Sequence, residues 1–228
     1  MIHIVAKTDD FGIIKHKSPN AILIDYKNNN GIIRRLNPYF PYKDIPVPNS
    51  GNFVAESIGA IWHGLKVFEK RDIDRKLMMN YLTNKNMCSQ KYFGQYLGHR
   101  YGVNGLDLLS ITDARRRILI PTYKWMLDYK AQDIIQELRK INEQHDIVFL
   151  EYFANSSIQD YSNSISYVSL IKAYVEGSFP CEEVYEMHRT HHSYIGRKYI
   201  SWTTCEKRPK TIEPYTIKSQ IEIPFDIV

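Results

Sequence analysis

No stretch of this 228-residue chain holds the long apolar run that a membrane span requires: runs such as 118–120 and 147–150 fall far short of the ~20 residues needed. The start, MIHIVAKTDDFG, lacks the basic segment and following apolar stretch of a secretory signal. These two absences predict a cytoplasmic protein with no membrane partner. Cysteine is scarce. Cys88, Cys181 and Cys205 are odd in number, far apart and without a CxxC pair, so they read as reduced thiols and exclude a disulfide framework or a cysteine zinc site. The phosphate-cradling patterns GxxxxGK[ST] and GxGxxG are missing, as are the GxSxG elbow, the kinase signatures and HExxH. No cofactor and no metal are therefore expected. Internal repeats and low-complexity linkers are absent too, which leaves one domain over 1–228.

What is present reads as an ordinary folded chain. Hydrophobic residues make up 43% and charged residues 24%, enough to build a core. The net charge of +5 favours an anionic ligand such as a nucleotide, a phosphate or a nucleic acid. It also fits a merely solvated basic surface, and it falls short of the basic stripe of a dedicated DNA binder.

Local patterning predicts an α+β fold with a helix-rich middle. Residues 1–36 read as short strands, with 21–26 (AILIDY) the clearest and NNNG a turn after it. Residues 37–52 hold four prolines and read as a surface loop with no central strand. A helix is expected from 55 or 57 to 68, since Ile58, Ile61, Trp62, Leu65 and Phe68 form one apolar stripe. Ala60 and Gly64 on it permit close backbone approach. A second helix is expected over 73–82, capped by Asp72. Residues 112–144 read as two or three helical pieces, with Thr112 as a cap and Pro121 as a break or restart. Residues 147–153 read as a buried strand. A helix over 166–176 would stop at Gly177. Beyond it, a short helix near 182–187 and extended segments near 199–203 and 221–223 are expected.

Four places draw chemical interest, each with an ordinary alternative. His188, His191 and His192 cluster in MHRTHH, which reads as a polar loop more readily than as a metal site. Glu56 and His63 nearly eclipse two turns apart, with Lys66 beyond, forming either a ligand face or plain solvent surface. Arg115, Arg116 and Arg117 cannot share a helix face, so at least one must point inward or into a cleft. That arginine either grips phosphate bidentately or ties a structural bridge. The polar loop at 151–166 carries Asp160, Asn163 and Ser166, which serve sites and turns alike.

The order PYFPYKDIPVP, SIGAIWHGLKVFE, DARRRILIPTYKWML and SISYVSLIKAYVEG resembles the NADAR superfamily, in particular its branch with an IPVP loop. The resemblance covers about 37–177, with 178–228 as a C-terminal extension. It implies a compact α+β fold and a ligand holding ribose and phosphate. Relatives of that kind cleave N-glycosidic bonds of riboflavin-pathway intermediates or remove ADP-ribose from guanine. On that basis Glu56, Asp160 and His63 are the catalytic candidates. Tyr39, Trp62, Lys66, Arg115, Tyr123, Asn163 and Ser166 are the ligand-binding candidates. The partner would be a nucleotide, an ADP-ribosyl small molecule or a modified nucleic acid. The chain departs from the pattern at Gly59, where the family has Glu, and at His63, where it has Gln. A catalytically inactive binding module of the same fold is the alternative, and an interaction protein without a small ligand is a third.

Overall fold

The computed structural model describes residues 1–6, 16, 19–25, 31–81, 93–151, 157, 160 and 163–180, together with the backbone of 192–195 and 198–201. Strands β1 (Ile2–Ala6) and β2 (Ile22–Asp25) come first, followed by a short 3-10 turn over Ile32–Leu36 that buries Ile33 and Leu36.

The proline-rich segment runs over the surface at Tyr39, Lys43, Asp44, Gly51 and Asn52, but it enters the core between them. It forms an antiparallel pair, β3 (Ile45–Pro46) with β4 (Val54–Ala55), and Ile45 and Val47 are fully buried. Prolines make this possible, because each removes an N–H that would otherwise need a partner in the core. The remaining polar groups are met locally. Val47 N–H donates to the Phe53 carbonyl, Ser50 Oγ to the Pro48 carbonyl at 2.9 Å, and Val103 N–H to Ser50 Oγ at 2.8 Å. Asn49 sits at φ 50° and its amide donates to the Tyr101 carbonyl at 2.9 Å.

Helix α1 (Ile58–Gly64) starts at Ser57, whose hydroxyl accepts from Ala60 N–H at 3.1 Å. It stops at Gly64, four residues before the apolar stripe ends. The chain then enters β5 (Lys66–Phe68). Tertiary pairing overrides the stripe here, and Gly64 lies so close to the next helix that a Cβ would fall 2.2 Å from Met78 Cγ. That helix, α2 (Arg75–Met79), is capped by Asp74, and Asp72 instead pairs with Arg100 at 3.0 Å. It is shorter than 73–82, and residue 82 lies outside the described residues. Strands β6 (Tyr96–Arg100) and β7 (Leu108–Leu109) complete an antiparallel sheet in the order β5-β6-β7.

A continuous helical rod follows: α3 (Ile111–Ala114), one π turn over Arg115–Leu119, and α4 (Ile120–Tyr129). Ser110, not Thr112, caps it. Pro121 does not break the rod. It sits at the start of α4, where the wider π turn has already shifted the hydrogen-bond register, and its missing N–H is tolerated there. Helix α5 (Gln132–Gln144) leads into β8 (Ile147–Glu151), a strand buried along its whole length and paired in parallel with both β1 and β2. Ser166 caps α6 (Tyr167–Val175), and Gly177 at φ 78° ends the turn that follows. Strands β9 (His192–Ile195) and β10 (Lys198–Ser201) form a hairpin, β10 overlapping the extended segment expected near 199–203. The expectations for 182–187 and 221–223 lie outside the described residues. Helices and small sheets thus share one core, led by Trp125, Tyr123 and Phe149, in an α+β domain.

Candidate functional site

Three aromatic rings and an ammonium meet beside α1. Tyr39, His63 and Tyr81 lie nearly parallel, with interplanar angles of 20–26° and centroids 5.3–6.1 Å apart. Tyr39 Oη is 3.3 Å from His63 Nε2, and Lys66 Nζ is 3.3 Å from His63 Nδ1. Glycine at position 59 is what lets Tyr39 in. A Cβ there would sit 2.2 Å from two carbons of the Tyr39 ring. The approach is tied by Gly59 N–H donating to the Pro38 carbonyl at 2.8 Å, and by Tyr39 N–H donating to Asn37 Oδ1 at 2.9 Å. Tyr39 remains 40% exposed, so the cluster opens to solvent on its side.

Glu56 stands at the edge of this cluster. One of its carboxylate oxygens accepts from Tyr81 N–H at 2.6 Å, which connects the carboxylate to the aromatic group through the chain. Beneath α1, His99 is fully buried with its ring 3.9 Å from that of Trp62. Its Nε2 contacts the Trp62 carbonyl at 3.1 Å and its Nδ1 the Tyr96 hydroxyl at 2.6 Å. A carbonyl only accepts, so Nε2 carries the proton and Nδ1 accepts from Tyr96.

Arg115 comes from the π turn and is only 4% exposed. Its guanidinium donates to the Asp160 carbonyl and, at 2.8 Å, to the Asn163 carbonyl. It therefore holds the polar loop by its backbone. Arg117 lies over the Tyr101 ring at 5.8 Å. Tyr123 is wholly buried, donates to the Leu36 carbonyl at 2.8 Å and packs on Tyr167 with centroids 5.0 Å apart. Ser166 caps α6 by accepting from Ser169 N–H at 3.1 Å. Asn163 is exposed.

Electrostatics connect the two sides. Burial, then the positive charge of Lys66, lowers the His63 pKa to about 4. Burial first and Lys66 next bring His99 to about 3. Burial raises Tyr96 to about 12 against the pull of Arg115. Tyr167 is raised by burial, by Tyr39 and by Tyr81, with Arg115 opposing, so these four groups share one field. Both histidines are neutral at pH 7. Below pH 6.5 the unfolded chain takes up protons on these imidazoles while the folded protein refuses them. Stability present above pH 6.5 is thus lost on acidification, by about 2 kcal/mol at pH 5 for buried His99 and by less for partly exposed His63. Urea midpoints at pH 7 and pH 5 check this. His63→Gln should show a smaller acid loss than the wild type, and equal losses would refute the assignment.

Residues 7–171 match a family of unknown function, DUF6939. The chain belongs to that family. No curated protein and no solved structure matches it. The DUF6939 match runs from before β2 into α6, so it takes in α1, the π turn and the loop that Arg115 holds. Within this DUF6939 chain the folded site joins Tyr39, His63 and Lys66 into one cluster with Tyr81, whose backbone N–H holds the Glu56 carboxylate. Trp62 stands under it against His99. Arg115 and Ser166 organise the loop and α6, and Tyr123 forms the floor under Tyr167. Tyr81, Tyr96, His99 and Tyr167 belong to the same neighbourhood and carried no signal in the sequence, because single tyrosines and histidines outside any motif look alike until packing selects among them. His188 and His191 lie outside the described residues.

Proposed function

We propose that this chain is a NADAR-like N-glycosidase or ADP-ribose-processing hydrolase that acts on a ribosyl-phosphate compound. One observation supports this above the others: Tyr39, His63, Tyr81 and Lys66 gather beside α1, and the Tyr81 backbone N–H holds the Glu56 carboxylate. Parallel rings suit a flat heterocycle, an ammonium suits phosphate, and a carboxylate suits a water molecule or a developing sugar cation. The ligand is then a nucleotide, an ADP-ribosyl small molecule or a modified nucleic acid.

Incubation with ADP-ribosylated guanosine, ADP-ribosylated DNA and ribosylamine phosphates, followed by chromatography of the released base, tests the reading. Turnover of at least one is expected. Glu56→Gln keeps an oxygen for Tyr81 N–H yet loses the charge, and it should slow that turnover about a hundredfold. A folded protein that releases no base from any of them rules out the hydrolase.

One feature favours a second reading, capture without turnover. The Tyr39 ring covers Gly59, the position where the resembled family carries Glu. Calorimetry with ADP-ribose, NAD and nucleotides separates the two, since binding without base release supports the module.

A further inference from the structure

We propose that Tyr39 is the proton donor to the departing base, polarised by a Lys66–His63–Tyr39 chain of hydrogen bonds that stands in for an acid at position 59. The inference rests on the hydrolase reading. It starts from a constraint of chemistry. A lysine ammonium has protons and no lone pair, so at the 3.3 Å contact His63 Nδ1 must accept from Lys66 Nζ. A neutral imidazole has one proton, which then resides on Nε2 and faces Tyr39 Oη at 3.3 Å. The Tyr39 oxygen thereby accepts, and its own proton is directed away from His63. Both contacts are long, as acid–base contacts often are before a ligand tightens them. The burial that keeps His63 neutral, with a pKa of about 4, keeps this order in place at pH 7.

The three groups come from separate elements that converge. Lys66 opens β5, His63 lies near the end of α1, and Tyr39 is pressed onto Gly59 by the Gly59–Pro38 hydrogen bond. In the step itself the C1′–N bond breaks and its electron pair stays on nitrogen, which takes the Tyr39 proton. The phenolate that remains is held by His63 Nε2–H in the field of the Lys66 charge. Water bonds to C1′ and loses one proton to solvent. A solvent proton restores Tyr39 after release, so water is the only reagent consumed. Tyr39 is the catalytic residue of this step, and His63 and Lys66 are positioning residues.

Two measurements test the relay. Nitrogen NMR of the histidine-labelled protein at pH 7, with His63→Gln to assign the signal, should show His63 neutral and protonated at Nε2. An imidazolium or an Nδ1–H form overturns the relay whatever the activity. Turnover is then compared on two ADP-ribosyl compounds, one carrying guanine, which needs a proton to leave, and one carrying nicotinamide, which leaves neutral. Tyr39→Phe should lose about a hundredfold on the first and stay within about threefold on the second. Lys66→Met and His63→Gln should lose about tenfold on the first alone. Equal losses on both compounds, or none, overturn the relay and leave the hydrolase reading intact. A folded wild type that cleaves neither compound overturns the relay, and the hydrolase reading falls with it only when ribosylamine phosphates also release no base.

Discussion

Replacing Arg115 by methionine is expected to lower the melting temperature by about 10 °C. Arg115 is 4% exposed, and its guanidinium donates to two backbone carbonyls, those of Asp160 and Asn163. A hydrogen bond with one charged partner contributes about 1.5–3 kcal/mol, and removing the donor leaves its acceptor to be desolvated without return. Two such losses come to roughly 3–5 kcal/mol, and a chain of this size shifts by about 2–4 °C per kcal/mol. Methionine keeps most of the apolar stem, so the loss reports the guanidinium and not a void. Arg115→Lys should recover less than half, because an ammonium cannot span both carbonyls with the fixed fork of arginine. Scanning calorimetry of the three proteins decides the matter. A change under about 3 °C for the methionine variant would mean that the loop holds itself. The same variant should also weaken ADP-ribose binding, since Ser166 and Tyr167 follow directly on the loop that Arg115 holds.

Gly59→Ala should spare stability and damage the site. Alanine is the better helix former by about 1 kcal/mol. Its Cβ, however, would lie 2.2 Å from the Tyr39 ring, which has to leave. Tyr39 is 40% exposed, so its swing into solvent costs less than the expulsion of a buried ring. The two effects nearly cancel in stability, and the melting temperature should move by less than about 4 °C. The Tyr39–His63 contact is lost with the swing, and turnover or ligand affinity should fall about tenfold or more. Gly59→Glu alone meets the same obstacle, so placing a carboxylate at position 59, as in the resembled superfamily, requires a Tyr39→Ala change beside it. If Gly59→Ala binds and turns over as the wild type does, the packed Tyr39 ring has no part in the site.

Much of the fold was legible from local pattern. One of the helical pieces expected over 112–144 became α5 (Gln132–Gln144), the apolar run from 147 became β8, and Ser166 and Gly177 bracket α6 as caps do. The errors share a cause. The stripe through Phe68 suggested a longer α1, yet Val67 and Phe68 find strand partners at Gly98 and Tyr96. The prolines of 37–52 suggested a surface loop, yet their lack of N–H groups let the segment enter the core. In each case a contact distant in sequence outweighed a local preference. The site divides in the same way. The alignment of Glu56, His63 and Lys66 expected from helical spacing does not form, because Glu56 precedes α1 and Lys66 opens β5; the Lys66–His63 contact arises where the chain passes from α1 into β5. Three successive arginines cannot share one helix face, which left open which of them turns inward; Arg115 does, to carbonyls of its own chain.

The sequence by itself determined α5, β8 and the ends of α6, because helix periodicity, caps and buried apolar runs act over one or two turns of chain. Only the tertiary structure decided that Tyr39 lies on Gly59, that Tyr81 joins His63, and that His99 bridges Tyr96 to the Trp62 carbonyl. Those contacts depend on which surfaces the core brings within a few ångströms, and that is a property of the whole packing and of no single segment.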